Sequence, residues 1–230
     1  MKYKAPLMEA VFIERPNRFL GIVTVDDVLT QCFIPNPGRM QELLLPGAKV
    51  YISDRRSEKR KTTHDLILVR KNRKLVSIDS RVPNILIGEA IEEGILHEFK
   101  GYEIGKREYT YGDSRLDFLL LKGRKKIFLE VKSCTLVVDG IGLFPDAPTK
   151  RGSKHLKTLV EGLGHGRAAM VFLIQRDDAV SLHPNKSTDP KFADTIRDAA
   201  GQGVEVLAYT SNVTLKEITI KEKIEVILKL

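Results

Sequence analysis

The chain has 230 residues, of which 42% are hydrophobic and 30% charged, a composition typical of a folded protein and not of a disordered one. No apolar run reaches membrane-spanning length and no signal peptide opens the chain, so we expect a cytoplasmic protein without a membrane partner. The two cysteines, Cys32 and Cys134, lack metal-ligand spacing and fit a reducing compartment. The formal net charge of +8 favours a polyanionic partner, although an inert basic surface would carry the same charge.

Residues 1–83 are predicted to form short strands separated by turns. The predicted strands are 7–14, 19–25, 28–34, 48–53, 65–69 and 74–78. Strands of this length and spacing predict a small antiparallel barrel, and a five-stranded barrel of this size is often an OB-fold that binds oligonucleotides or oligosaccharides. Sugar binding is the weaker alternative, because sugars usually contact aromatic residues and these make up only 7% of the chain.

Two basic features lie within this first part. The sequence Pro-Asn-Pro-Gly at positions 35–38 predicts a rigid turn that presents Arg39 at the start of a helix-like segment, residues 40–44. Residues 55–61 predict a loop that contacts phosphate, because nearly all of its charges have one sign. For both features the alternative is a solvated charge without function. The basic residues of the loop are Arg55, Arg56, Lys59, Arg60 and Lys61.

Residues 84–230 predict helices alternating with strands. The predicted helices cover about 84–97, 153–163 and 190–200, with Asn84 and Asp189 as N-caps. The predicted strands are 102–109, 116–121, 127–138, 168–174 and 204–209, and residues 213–220 and 224–230 are predicted to form a closing hairpin. The order helix, three strands, helix, strand, helix, strand predicts a mixed sheet with helices on its faces.

The stretch from 114 to 132 contains two carboxylates in apolar surroundings. Glu130 alternates with Leu129 and Val131 in a strand that we predict to be interior, and Asp117 lies in the preceding strand of the same hairpin. A buried, unpaired carboxylate is costly, so Glu130 needs a partner, and Lys132 lies on the same face. Two acids placed side by side repel each other unless a cation lies between them, and this arrangement suits Mg²⁺.

A second basic segment opens the helix predicted from residue 153. Its residues Lys150, Arg151 and Lys154 add positive charge where free backbone N–H groups already attract anions, so this is the strongest phosphate-binding candidate. The alternative is a turn with solvated bases. His155 could move a proton, but a packed or surface histidine is the preferred interpretation. Gln175, at the end of the apolar strand 171–174, could line the site, but a strand-end cap is preferred.

Asp117 and Glu130-Val131-Lys132 on consecutive strands, after a helix that carries Glu89, resemble the PD-(D/E)XK nuclease superfamily. Nearly the whole chain resembles the sugar fermentation stimulation protein A family more closely. The stretches that carry this resemblance are PNPGRM at 35–40, YGDSRLDF at 111–118, EVKSCTL at 130–136, FPDAPTKRGSKHL at 144–156 and GVEVLAY at 203–209.

The resemblance implies an OB-like β-barrel in residues 1–83 followed by a nuclease-like mixed sheet flanked by helices in residues 84–230, an α+β or α/β chain overall. It also implies a metal site in which Asp117 and Glu130 ligate Mg²⁺ or Mn²⁺, with the backbone carbonyl of Val131 as a further oxygen. Lys132 would orient the attacking water or offset charge on the phosphate. Glu89 would hold a second metal ion or a water bound to the first.

Each of these roles has a structural alternative. Glu130 and Lys132 would then be a buried ion pair, Asp117 would be a partner of Arg115 or Ser114, and Glu89 would lie on an exposed helix face.

Two functions follow from the resemblance. The first is largely sequence-nonspecific DNA binding with Mg²⁺-dependent phosphodiester cleavage, and the second is a regulator of sugar-utilisation genes that binds DNA without cutting it. DNA versus RNA and self-association stay open at this point. The expected nucleic-acid contacts are Arg39, Arg55, Arg56, Arg60, Lys61, Arg115, Lys150, Arg151 and Lys154.

Overall fold

The computed structural model describes residues 1–57 and 60–229. Six strands precede the first helix: β1 (Leu7–Asn17), β2 (Leu20–Val25), β3 (Val28–Phe33), β4 (Lys49–Asp54), β5 (His64–Lys71) and β6 (Lys74–Ser77). The helices are α1 (Val82–Glu92), α2 (Lys150–Gly162) and α3 (Pro190–Gly201), and a short 3₁₀ turn covers His97–Phe99. The later strands are β7 (Glu103–Tyr111), β8 (Ser114–Lys122), β9 (Lys125–Cys134), β10 (Val137–Val138), β11 (Ile141–Phe144), β12 (Arg167–Ile174), β13 (Ser181–Pro184), β14 (Glu205–Val213) and β15 (Ile218–Val226).

The first six strands form one sheet that closes on itself. Their order is β3-β2-β1-β4-β5-β6, and an additional parallel pairing of β3 with β5 closes a five-stranded barrel. Side chains alternate as a barrel requires, since Ala10 and Phe12 of β1 are buried in its core whereas Val11 and Ile13 face outward. The predicted OB-like barrel is therefore confirmed.

The segment 40–44, predicted to be helix-like, contains one hydrogen-bonded turn and no regular helix. In this turn the N–H groups of Leu43 and Leu44 donate to the carbonyl of Met40. Met40 has a φ of 48°, a left-handed conformation that cannot begin a right-handed helix.

The remaining nine strands form a mixed sheet in the order β10-β11-β13-β15-β14-β12-β9-β8-β7. Strands β7, β8 and β9 are antiparallel neighbours, and β12, which follows α2, adds in parallel to β9. Residues of α1 pack on one face of this sheet with Leu129 and Val131, and residues of α2 and α3 pack on the other face with Phe128. The predicted mixed sheet with helices on both faces is confirmed.

Several predicted elements differ from those of the structure. Helix α1 begins at Val82 with Pro83 in its first turn, so Asn84 lies inside the helix and is not its N-cap. The stretch 213–230 does not form its own hairpin, because β15 is one continuous strand that pairs antiparallel with β14. Strands β11 and β13 were not predicted. By contrast, Asp189 caps α3 as predicted and accepts a hydrogen bond from the N–H of Phe192.

The barrel is attached to the second sheet through polar contacts at the end of β12. The N–H of Ser77 donates to the carbonyl of Gln175 at 3.0 Å, and the side chain of Ser77 donates to Oε1 of Gln175 at 3.0 Å. The amide of Gln175 in turn donates to Ser133 of β9 at 2.9 Å. Gln175 therefore joins the two sheets, which is more than the strand-end role expected for it. Within the described residues, no helix is both long and apolar enough to cross a membrane.

Candidate functional site

A cleft of about 1230 Å³ lies between the barrel and the second sheet. The barrel contributes the turn that contains Arg39 and the connection between β1 and β2, and the second sheet contributes β8, β9 and the start of α2. The cleft therefore contains both the predicted carboxylates and several predicted basic residues. The charged residues that line it are Arg15, Arg18, Arg39, Asp117, Glu130, Lys132, Asp146, Lys150 and Arg151.

Asp117 lies where the pairing of β8 with β9 ends. The register of the two strands runs from Lys122 opposite Lys125 to Phe118 opposite Leu129. Asp117 directly precedes Phe118 on β8. Its Oδ2 accepts a hydrogen bond from the N–H of Val131 at 2.8 Å, and its Oδ1 accepts one from the side-chain amide of Asn84 at 2.6 Å. Burial and the negative charge of Glu130 raise the pKa of Asp117 to about 6. The alternative partners considered for Asp117, Arg115 and Ser114, instead contact Glu108 and Thr158.

Glu130 is 3% exposed and has two partners on one oxygen. Its Oε1 accepts hydrogen bonds from the ammonium group of Lys132 and from the imidazole of His155. Burial alone would raise the pKa of Glu130, but the hydrogen bond with His155 and the charge of Lys132 outweigh it, so the pKa lies below its usual value. Oε2 is buried and has no hydrogen-bond partner among the described residues.

Lys132 and His155 thus complete the surroundings of Glu130. Lys132 forms the ion pair with Glu130 that we considered as the alternative interpretation, yet both residues line the cleft. His155, which we expected to be a packed or surface residue, is buried and in contact with Glu130, and Nε of Arg151 donates to its Nε2 at 3.3 Å. The contact between Arg151 and His155 could have been predicted from the sequence, because residues spaced i, i+4 lie side by side on a helix.

The donor set suits a divalent cation that needs few protein ligands. No group of three or more His, Cys, Asp or Glu side chains within the described residues is arranged to hold a metal ion. Mg²⁺, however, is commonly bound by one or two carboxylates and completes its coordination with water and phosphate oxygens. The partnerless Oε2 of Glu130 and the neighbouring carboxylate of Asp117 fit that requirement.

The barrel side of the cleft is organised by a residue that the sequence analysis missed. Nη1 of Arg15 donates to the carbonyls of Gly38 and Arg39, both at 2.8 Å, and Nη2 donates to those of Arg18 and Asn36. Arg15 therefore fixes the turn, while the side chain of Arg39, predicted to contact nucleic acid, is exposed and lines the cleft. Exposed Arg18, also missed, lies in the same wall.

On the opposite wall, Lys150 and Arg151 line the cleft at the N-terminus of α2, and their role as phosphate contacts stays a prediction. The helix begins three residues earlier than predicted, and the side chain of its N-cap Thr149 accepts the N–H of Gly152. Lys154 is not among the lining residues, since its Nζ donates to the carbonyl of Asp113 at 2.6 Å. Of the three predicted basic residues, Lys150 and Arg151 thus lie in the cleft and Lys154 lies outside it.

Two other predicted residues lie outside the cleft. The carboxylate of Glu89 forms an ion pair with the N-terminal amine of Met1 at 3.1 Å. It does not line the cleft with Asp117 and Glu130. Arg115 is exposed and pairs with Glu108 at 3.6 Å. A role for Glu89 at a second metal ion, or for Arg115 at phosphate in this cleft, is therefore not supported.

Three arginines of the basic loop, Arg55, Arg56 and Arg60, pair with acids of the barrel and do not line the cleft. Arg55 and Arg60 pair with Asp65, which is 1% exposed, and Arg56 pairs with Asp54. Lys61 is exposed, and Glu58 and Lys59 lie outside the described residues. The run of like charges in the sequence is thus balanced in part by carboxylates on β4 and β5.

Comparisons with known proteins agree with the two parts of this structure. Residues 13–78 match the family model described as the SfsA N-terminal OB domain, and residues 81–217 match that of the sugar fermentation stimulation protein RE domain. The chain is 49% identical over 212 residues to a sugar fermentation stimulation protein homolog of Moorella thermoacetica, covering 91% of each chain. It is 44% identical over 229 residues to the homolog of Caldanaerobacter subterraneus, covering 99% of this chain and 100% of that one.

A solved structure of SfsA from Pyrococcus furiosus in complex with Ca²⁺ is also similar to this chain. The TM-score is 0.91 at 31% sequence identity, and the match covers 98% of this chain and 97% of the other. The similarity therefore extends across the barrel and the second sheet together.

Proposed function

This chain belongs to the sugar fermentation stimulation protein family, and on that premise we propose that it binds DNA through phosphate contacts in the cleft, where Asp117 and Glu130 hold Mg²⁺ or Mn²⁺ for hydrolysis of a phosphodiester bond. We propose in addition that residues 1–83 and 84–230 are two domains. The DNA would then contact both domains at once, because the cleft lies between them.

One observation carries the proposal: half-buried Asp117, buried Glu130 and the exposed basic side chains line the same cleft. Arg18 and Arg39 approach from the barrel, and Lys150 and Arg151 approach from the start of α2. Positive side chains at the cleft would hold the phosphate backbone next to Asp117 and Glu130. Contacts of this kind position a nucleic acid without reading its bases, so binding would depend little on sequence.

The protein groups divide the chemistry among them. Asp117 and Oε2 of Glu130 would hold the cation, and a bound Mg²⁺ would polarise the phosphate and lower the pKa of a coordinated water. Lys132, whose ammonium group contacts Oε1 of Glu130, would offset negative charge that develops on the phosphate. The Ca²⁺ in the Pyrococcus furiosus structure supports a divalent cation as the ligand in this family.

A second candidate function is a regulator of sugar-utilisation genes that binds DNA in the same cleft without cutting it. It is favoured by the small number of free carboxylate oxygens. Both oxygens of Asp117 and Oε1 of Glu130 already accept hydrogen bonds from the protein, and Glu89 lies elsewhere.

A single incubation separates the two candidates. Pure protein is mixed with supercoiled plasmid in Mg²⁺ or in chelator, with Glu130→Gln as the matched control, and the products are separated by electrophoresis. Nicked or linear plasmid in Mg²⁺ alone, absent with Glu130→Gln, would support the nuclease. A retarded but uncut plasmid under both conditions would support the non-catalytic regulator, and unretarded, intact plasmid would contradict both.

A further inference from the structure

His155 lies between the carboxylate site and the phosphate-binding wall of the cleft. It is 3% exposed on α2, one helical turn after Arg151. Its Nδ1 is in hydrogen-bond contact with Oε1 of Glu130, and its Nε2 accepts from Nε of Arg151 at 3.3 Å. One imidazole thus touches both the carboxylate proposed to bind the cation and the guanidinium proposed to bind phosphate.

Nδ1 of His155 also lies 3.3 Å from Nζ of Lys132, which donates to the same oxygen of Glu130, so Nδ1 faces both a donor and an acceptor. The contact that selects one tautomer of the ring is the one with Arg151. Arginine is always protonated and has only donors, so Nε2 of His155 must offer its lone pair to Arg151. The proton of a neutral imidazole is then on Nδ1, where it is donated to Glu130 Oε1. A doubly protonated ring would place an N–H of His155 against the N–H of Arg151, and the opposite tautomer would place two lone pairs between His155 and Glu130.

We infer that His155 is a positioning residue that couples the two halves of this site, an inference that rests on the proposed function. Together with Lys132 it keeps Oε1 of Glu130 occupied, so that the partnerless Oε2 is the oxygen left for a cation. On its other side it engages only Nε of Arg151. The two terminal nitrogens of that guanidinium keep their N–H groups for phosphate, the geometry in which arginine binds it in bidentate fashion.

This role predicts that the two functions of the ring can be separated by substitution. The amide nitrogen of Asn is bonded to Cγ, as Nδ1 of His is, so His155→Asn retains the donor to Glu130 and loses the contact with Arg151. The amide oxygen of Gln is one atom further out, in the place of Nε2, so His155→Gln retains the acceptor for Arg151 and loses the donor to Glu130. His155→Ala loses both.

The test measures binding of Mg²⁺ alone by titration calorimetry and binding of a duplex DNA in chelator, for wild type and the three variants. We expect His155→Ala and His155→Gln to bind Mg²⁺ roughly 10–100-fold more weakly than wild type, the usual cost of removing a group that orients a metal ligand. His155→Asn should restore most of that affinity. For DNA in chelator, His155→Ala and His155→Asn should bind about two- to tenfold more weakly, the effect of losing one hydrogen bond, whereas His155→Gln should bind as wild type does.

If the wild type binds Mg²⁺ and DNA and His155→Ala binds both with the same affinities, the inference is overturned and the proposed function stands. Equal losses in His155→Asn and His155→Gln for both ligands would also overturn it, because they indicate packing alone. A wild type that binds neither ligand would overturn the proposed function itself. Should the variants fail to fold, nitrogen NMR of the wild-type histidine decides: a proton on Nδ1 supports the inference, and one on Nε2 contradicts it.

Discussion

Gly38 of the barrel approaches Asp146 of the second sheet so closely that a Cβ atom at position 38 would lie 2.7 Å from Oδ2 of Asp146. The same oxygen accepts the N–H of Met40 at 3.2 Å. The turn that carries Arg39 is therefore seated directly against the loop that follows β11. Because Arg15 fixes the other side of this turn, the barrel wall of the cleft has a defined position relative to the carboxylates.

Gly38→Ala should disturb this contact. The added methyl group would have to displace either the Asp146 carboxylate or the side chain of Asn36, whose Oδ1 would be 2.9 Å away. We expect the free energy of unfolding to fall by about 1–3 kcal/mol, as is typical of overpacking, and duplex DNA affinity to fall with it. Denaturant unfolding and a DNA titration measure the two effects.

The matched control is Gly201→Ala, at the end of α3, where a Cβ atom would meet nothing within 4 Å. It should leave DNA affinity unchanged and should not lower the free energy of unfolding, since alanine is the better helix former. If Gly38→Ala were as stable as this control, the close approach of the barrel turn to Asp146 would not constrain the cleft.

Much of the carboxylate site could be predicted from the sequence. Asp117 and Glu130 stood out because ionised groups are rarely placed in apolar strands without a partner, and strand periodicity put Lys132 on the same face as Glu130. The hairpin turn then brought the two acids together. These signals are local, so a single sequence carries them.

The residues that were missed or misassigned depend on contacts between distant segments. Asp65 of β5 pairs with Arg55 and Arg60 and offsets part of their charge, and neither arginine lines the cleft, so this basic run in the sequence did not become a basic surface of the cleft. Arg15 binds carbonyls more than twenty residues away, and its neighbours in sequence do not reveal this. His155 meets Glu130 only because α2 packs on β9, which helical periodicity alone does not specify.

Arg151→Ala should weaken DNA binding without unfolding the protein, because Arg151 is exposed at the helix N-terminus in the cleft. Arg115→Ala is the control, since this exposed arginine lies outside the cleft and pairs with Glu108. In a titration of DNA affinity against salt, Arg151→Ala should lower the slope by about 1, as expected for one lost phosphate contact, and Arg115→Ala should leave it unchanged. Identical slopes and affinities for both variants would return Arg151 to a solvated charge.

Mg²⁺ or Mn²⁺ should raise the melting temperature of the wild type, because a cation that binds only the native state stabilises it by mass action. The increase should be much smaller for Asp117→Asn, which lacks one of the two neighbouring carboxylates. Glu89→Gln should keep the full increase, since Glu89 pairs with the N-terminal amine away from the cleft. Differential scanning calorimetry with and without chelator provides the comparison. A cation effect lost equally in Asp117→Asn and Glu89→Gln would argue against a specific site at Asp117.

Lys132→Met separates a metal site from a simple ion pair. Removing one member of a buried pair that has no other support costs roughly 3–5 kcal/mol. Here His155 still donates to Glu130, so in chelator we expect a smaller loss of about 1–3 kcal/mol in the free energy of unfolding. Saturating Mg²⁺ should recover most of that loss, because a cation at Oε2 compensates the charge of Glu130.

Cleavage of plasmid by Lys132→Met, if the wild type cleaves, should be lost even when stability is recovered, because Lys132 then acts on the charge that develops at phosphate. Lys154→Met is the control, as Lys154 is an exposed lysine of α2 whose ammonium group contacts the carbonyl of Asp113 outside the cleft. A large stability loss in Lys132→Met that Mg²⁺ does not recover would identify Glu130 and Lys132 as a structural ion pair. That result would favour the regulator that binds DNA without cutting it, since Mg²⁺ would then not compensate the charge of Glu130.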